Sequence, residues 1–186
     1  MIDNLFHQLG KLEKEDPARF STYPLKKGLK RYVFLTLHRP SNVDSRETFS
    51  GIVEALNEIA VESPILFPVH PRTRKMLGEF GFRLDPGIKL LEPLGFTESL
   101  FLWRDAALVM TDSGGLQEET TALGVHCITL RDNTERPITV EMGTNTIAGN
   151  RKEGILRAYR ELGAKAHSRG RVPPLWDGKA AERIVD

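Results

Sequence analysis

The sequence has one cysteine, no long apolar run and no excess of either charge. A lone Cys127 excludes a disulfide framework and any Cys-based metal site, and its place in an apolar pattern reads as a small buried hydrophobe. The longest apolar stretches fall far short of the roughly 20 residues that span a bilayer. The amino terminus also lacks the apolar core of a signal peptide, so a soluble, cytoplasmic protein with no membrane partner is expected. Twenty-six basic residues face 25 acidic ones, beside five histidines, which gives no nucleic-acid footprint. Neither GxGxxG nor GxxxxGK[ST] occurs, so the common nicotinamide and P-loop signatures are missing. No carboxylate and histidine group has ligand spacing, so neither metal nor cofactor is implied.

What is present is enough apolar residue, 40% of 186, to bury one sizeable core. The organising stretch runs from Ala106 to Pro137. Ala107 to Thr111 is an apolar run with the pattern of a buried strand, and Asp112, Ser113, Gly114 and Gly115 form a polar turn. Leu116, Glu119, Thr120 and Leu123 then recur at helical spacing until Gly124 stops the element, and His126 to Leu130 is a second strand. This is a parallel βαβ unit whose turn lies at the carboxyl ends of the strands, where open parallel sheets place their ligands.

Residues 1–30 read as a lead-in helix and linker. Ile2, Leu5, Phe6, Leu9 and Leu12 make an amphipathic stripe, expected to be exposed and, with the last helix, to promote self-association. Lys26, Lys27 and Lys30 read as a solvated approach to the first strand. Residues 31–186 read as the ligand-binding domain. Tyr32 to Leu37 is a strand ended by His38 and Arg39, and ILFPV is a second one ended by His70 and Pro71. Two strands therefore deliver a histidine to the same end of the sheet.

Asp44 or Ser45 can cap the helix that carries Phe49 to Ile59. Arg72, Arg74 and Lys75 open the helix after His70 against its dipole, as solvated surface charge or as ligand contacts. IKLLE is a strand, Ser99 to Arg104 a short helix in which Trp103 packs, and Pro137 opens another short helix ended by Gly143. Thr144 to Ala148 is a strand and Lys152 to Leu162 a helix. Ala166 to Pro174, with His167, Arg169 and Arg171, is irregular, and a last helix follows Asp177 and Gly178. Strands alternating with helices predict a doubly wound, mostly parallel α/β domain of Rossmann-like type.

The strand-end chemistry fits a phosphorylated, hydroxyl-rich ligand. Ser113, Gly114 and Gly115 offer a hydroxyl, backbone N–H groups at a helix amino terminus and open space for a phosphate. Glu118 and Glu119 point about 100° apart on the following helix, so at most one aims into the crevice. A carboxylate there can accept both vicinal hydroxyls of a ribose.

Five segments in order, TLHRPSNVD (36–44), FPVHP (67–71), TDSGGLQEE (111–119), RDNTERP (131–137) and GTN (143–145), resemble the non-hydrolysing UDP-N-acetylglucosamine 2-epimerases, as does PPLWDGKAAERI (173–184). The resemblance spans essentially the whole chain. It implies the carboxy-terminal half of a two-domain, glycosyltransferase-B-type fold whose active site lies between the halves. The partners it implies are UDP, UDP-amino sugars, an amino-terminal Rossmann-like domain and a second copy in a homodimer. It implies interconversion of UDP-N-acetylglucosamine and UDP-N-acetylmannosamine by elimination of UDP and re-addition, in the service of cell-surface polysaccharide biosynthesis.

By the same resemblance, His38 is the catalytic histidine near the pyrophosphate. Arg39, Ser113, Gly114 and Gly115 belong to the diphosphate site, Glu119 holds the ribose, and Arg131, Thr134, Glu135 and Arg136 shape the cleft, with Arg136 a nucleotide-site residue. His70 and Arg72 match positions that in some members contact a second, regulatory substrate molecule. Ser41 departs from a glutamate found in many members, and the carboxylates that handle the C2 proton belong to the amino-terminal domain. The chain alone is therefore expected to recognise UDP with little or no turnover. A glycosyltransferase half-domain, a hydrolysing epimerase and a freestanding nucleotide-sugar binding module are the competing expectations.

Overall fold

Short apolar runs form one six-stranded, all-parallel sheet, and the chain returns between them through helices. The structure, a computed structural model, describes residues 1–163 and 171–185. Helix α1 (Ile2–Leu12), a 3-10 turn (Pro17–Arg19) and α2 (Tyr23–Lys27) precede β1 (Val33–Thr36). The one-turn α3 (Pro40–Val43) and long α4 (Arg46–Glu62) lead to β2 (Ile65–Pro68), and α5 (Pro71–Phe80) leads to β3 (Ile88–Leu91). Then come α6 (Phe96–Trp103), β4 (Leu108–Thr111), α7 (Gly114–Ala122) and β5 (Cys127–Thr129). The chain continues through α8 (Ile138–Glu141), β6 (Asn145–Ile147), α9 (Lys152–Gly163) and α10 (Ala180–Val185).

The strand order is β3-β2-β1-β4-β5-β6. Connections run outward in both directions from β1 and β4, so these neighbours flank the switch point at which a doubly wound sheet opens a crevice. Both faces of the central strands are covered, so β1, β2 and β4 are mainly apolar and alternate between two cores, while the edge strand β3 leaves Lys89 and Leu90 exposed. Val33 and Leu35, with Ile65, Phe67, Leu108 and Met110, pack under α4, α5 and α9. Phe34, Leu66, Val109 and Cys127 pack on the other face, against α1, α6 and α7. Cys127 is fully buried, which pushes its thiol pKa up to about 12, and Trp103 is core.

Local chemistry sets several boundaries. Ser45 Oγ accepts from Thr48 N at 3.3 Å and caps α4. Pro40 at the first position of α3, a turn the sequence pattern did not disclose, has no N–H to leave unpaired. Gly95 caps α6, which begins at Phe96 rather than Ser99.

The lead-in departs from expectation. The apolar stripe of α1 is not exposed: Leu5 and Leu12 are buried, and Ile2, Phe6 and Leu9 pack against the α6 core. Lys26 is not solvated either. Its Nζ bonds to Asp105 at 2.5 Å and to the Phe101 carbonyl, and lies 3.9 Å from the Phe101 ring centroid. The last helix docks on α1, with Asp3 accepting from Ala180 N and Ala181 N at 3.3 and 2.8 Å. Gly178 permits that approach, with φ +78° and Phe6 Cδ2 2.7 Å from where its Cβ would stand. Ile184 and Val185 on α10 remain exposed. His167 and Arg169 lie outside the described residues, and Arg171 to Pro174 belongs to no helix or strand. No described helix is long and apolar enough to cross a membrane.

Candidate functional site

The register of β1 with β4 builds the centre of the site. Thr36 pairs with Thr111, their hydroxyls 2.8 Å apart, so the chain leaves the sheet at His38 and Asp112 side by side. Asp112 is fully buried. Its carboxylate accepts from the amides of His38 and Arg39 at 3.0 and 2.8 Å, from Asn42 Nδ2 at 3.3 Å and from His38 Nδ1 at 2.9 Å. Its carbonyl accepts from Arg39 Nε at 2.9 Å. An isolated carboxylate would resist such burial, and this shell of donors is what keeps it ionised. Burial raises the Asp112 pKa, but the bonds from His38 and Arg39 outweigh it and the net shift is downward.

The same bond fixes the histidine. An ionised carboxylate only accepts, so Nδ1 of His38 carries a proton and Nε2 is the nitrogen left for a ligand. The bond to Asp112 raises the His38 pKa above 6.5, against partial desolvation. The side chain is 45% exposed.

His70 stands beside it, with ring centroids 6.1 Å apart. As the N-cap of α5 it accepts the Arg72 amide on Nδ1 at 3.2 Å, which leaves the proton of the neutral ring on Nε2. The two histidines share a cavity of about 190 Å³ with Thr36, Pro68, Leu94 and Ser99. The cations that open α5 are tied down locally. Arg72 grips Asp44, through Nε at 2.8 Å and through Nη2, while Arg74 bonds to Glu92 at 3.0 Å. Arg72 therefore braces the turn between α3 and α4.

Ser113 caps α7 by position, yet its hydroxyl makes no capping bond and is available to a ligand. Gly114 and Gly115 do not have positive φ, so what they provide is absence of bulk. The atom nearest to a Cβ built on Gly114 is Glu135 Oε2, at 3.7 Å.

Glu135 belongs to the 131–137 loop that overhangs the turn. Arg131 grips it with two bonds of 2.7 Å, and Arg39 Nη2 stands 3.5 Å away. Arg136 Nε lies 3.0 Å from Glu118 Oε2. Buried polar groups hold the loop from below. Thr134 Oγ1 donates to Gln117 Oε1 at 2.5 Å and accepts from Arg136 N at 3.0 Å. Asn145 Nδ2 donates to Gln117 Oε1 and to Thr139 Oγ1 at 3.2 and 3.1 Å. The GTN segment thus anchors the RDNTERP segment.

The adjacent glutamates separate by partner. Glu118 faces Arg136, while Glu119 has no hydrogen-bond or ion-pair partner among the described residues. Burial, with the Glu118 charge beside it, raises the Glu119 pKa to about 7.

His38 and Arg39 thus follow β1, Ser113, Gly114 and Gly115 follow β4, Arg136 lies on the loop after β5 and His70 follows β2, while Glu119 sits more than a turn into α7. Sequence reasoning passed over Asp112 as a turn residue. Its signal was available: a carboxylate one residue beyond a strand whose neighbour releases a histidine. Asn42, Gln117 and Asn145 carried no comparable sign.

The all-parallel, doubly wound sheet with helices on both faces defines the class, a Rossmann-like α/β domain. A calicheamicin glycosyltransferase shares the fold at TM-score 0.56 and 18% identity, over 84% of this chain and 43% of that one. The family model described as UDP-N-acetylglucosamine 2-epimerase matches residues 1–186, and the chain belongs to that family. It is 46% identical over 160 residues to the UDP-N-acetylglucosamine 2-epimerase of Methanocaldococcus jannaschii, covering 83% of this chain and 43% of the relative. The crystal structure of the enzyme from that organism in complex with UDP-GlcNAc and UDP superposes with TM-score 0.86 and 41% identity, over 99% of this chain and 51% of that one. The UDP-2,3-diacetamido-2,3-dideoxy-D-glucuronate 2-epimerase of Pseudomonas aeruginosa is 36% identical over 83% of this chain and 43% of its own length. The chain spans about half the length of the relatives it matches.

Proposed function

We propose that the chain is the UDP-binding half of an isomerase that interconverts UDP-N-acetylglucosamine and UDP-N-acetylmannosamine. The observation that carries this reading is the His38–Asp112 pair beside the Ser113–Gly114–Gly115 turn, in a chain of the epimerase family. In this reading residues 31–186 form the nucleotide domain and residues 1–30 lead into it.

Elimination of UDP places negative charge on the departing diphosphate. A protonated His38, fixed through Nδ1, presents Nε2–H to that charge, and preorganised donors of this kind lower the barrier because they need no reorientation. Ser113 and the α7 amides take a phosphate, Arg39 and Arg136 add charge, and Glu119 receives the ribose hydroxyls. His70 contributes to a neighbouring, regulatory substrate position and Arg72 braces it. The base for the C2 proton comes from an amino-terminal Rossmann-like domain across the cleft, so the chain alone turns over little or nothing. The parent protein is a cytoplasmic homodimer that feeds cell-surface polysaccharide synthesis. A second reading, action on a diacetamido uronate, has support from the Pseudomonas relative.

Product analysis by NMR tests the proposal. The full-length protein should bring UDP-N-acetylglucosamine to a mixture with UDP-N-acetylmannosamine, without free sugar, and the 186-residue chain should produce neither product. Epimerisation by the chain alone would contradict the division of labour. Release of free N-acetylmannosamine would place the protein in the hydrolysing branch.

A further inference from the structure

Four basic side chains at this edge already face a carboxylate. His38 is bonded to Asp112 and Arg136 faces Glu118, while Arg39 and Arg131 share Glu135. A nucleoside diphosphate brings several negative charges to the same edge. It must either accept a crowd of fixed carboxylates or displace one of them.

The three carboxylates differ in their freedom to move. Asp112 is wholly enclosed and Glu118 retains 19% of its side-chain exposure, whereas Glu135 is 51% exposed. Glu135 also stands where an incoming anion would compete with it: its Oε2 is 3.7 Å from the Cβ position of Gly114, beside the amino terminus of α7. The loop backbone around it is pinned, since Thr134 bonds to Gln117 and Thr139 Oγ1 to the Arg136 carbonyl. Displacement would therefore move the Glu135 side chain and leave the loop backbone in place.

We infer that Glu135 is a specificity-determining residue of the diphosphate seat, a resident anion that a bound diphosphate displaces from Arg39 and Arg131. The inference rests on the UDP-binding reading above. A phosphate presents to a guanidinium the same paired oxygens as a carboxylate, so the Arg131 fork can exchange one for the other. Held by Arg131, the Glu135 carboxyl has its pKa lowered to about 2, so it stays charged across the neutral range and competes at every working pH. A weakly charged ligand gains little by the exchange, whereas a diphosphate recovers both arginines.

Calorimetric titration of the chain and of Glu135→Gln with UDP, at two salt concentrations, tests this. Glutamine keeps the shape and removes the competing charge, and circular dichroism of both proteins checks that Arg131, which loses its charged partner, does not cost the fold. The variant should bind UDP about two- to fivefold more tightly, the scale of one exposed ion pair, and with a steeper loss of affinity in salt. Unchanged or weaker binding by the variant, beside measurable binding by the wild-type chain, would overturn the inference and make Glu135 an aid to the arginines. If neither protein binds UDP while circular dichroism shows both folded, the UDP reading falls and this inference falls with it.

Discussion

Nδ1 of His38 and the buried Oδ1 of Asp112 stand 2.9 Å apart because β1 and β4 are parallel neighbours in register. One bond thus fixes a tautomer, orients a ring and adds a donor to an enclosed carboxylate. Asp112→Asn should lower the His38 pKa, read from imidazole NMR shifts against pH. It should also destabilise the fold by roughly 1–3 kcal/mol in urea unfolding, since an amide cannot accept from the whole set of donors.

The pair also sets a pH window for stability. The His38 pKa is raised, so its contribution is complete below 6.5 and disappears as pH rises through the higher folded value. The Asp112 pKa is lowered, so its contribution is present above 3.8 and lost as pH falls through the lower folded value. Thermal unfolding across pH should show stability falling beyond each of these limits, and His38→Ala should lower stability at acidic to neutral pH while weakening the alkaline fall-off.

Glu119 titrates near neutrality in the same sense as His38. With its pKa raised to about 7, mainly by burial, it favours the protonated form of the folded chain, and its ionisation costs stability as pH rises. A carboxylate accepts ribose hydroxyls better than a carboxylic acid, so its part in UDP affinity should grow as pH rises through about 7. Glu119→Gln should bind more weakly and lose that component, as titrations at several pH values would show.

The lead-in helix should behave as core. Leu5 is fully buried against the α6 face, so Leu5→Ala should cost roughly 2–5 kcal/mol in equilibrium unfolding. A loss within the noise of a surface substitution would mean that α1 is only loosely attached.

The alternation of strands and helices was legible because apolar runs such as YVFLTL and ILFPV, broken by His-Arg-Pro and His-Pro, leave few alternatives to a doubly wound sheet. The amphipathic stripe of α1 was equally legible, but periodicity shows that a face is apolar and not what covers it. Lys26 was misread for a related reason: its partners, Phe101 and Asp105, lie about 75 residues away and only tertiary packing brings them close. The turn of Ser113, Gly114 and Gly115 between β4 and α7 was legible from local turn chemistry. Asp112 was not, since its meaning depends on which strand lies alongside. The assignment of Glu118 to Arg136 likewise needed the course of the 131–137 loop.

The most direct test of the central claim is calorimetric titration of this chain with UDP, repeated on His38→Ala, Ser113→Ala and Glu119→Ala. Weak binding by the wild-type chain should lose roughly 1.5–3 kcal/mol in the charged variants and somewhat less in Ser113→Ala. Firm binding untouched by all three substitutions would contradict the account and move the nucleotide away from the carboxyl edge of the sheet.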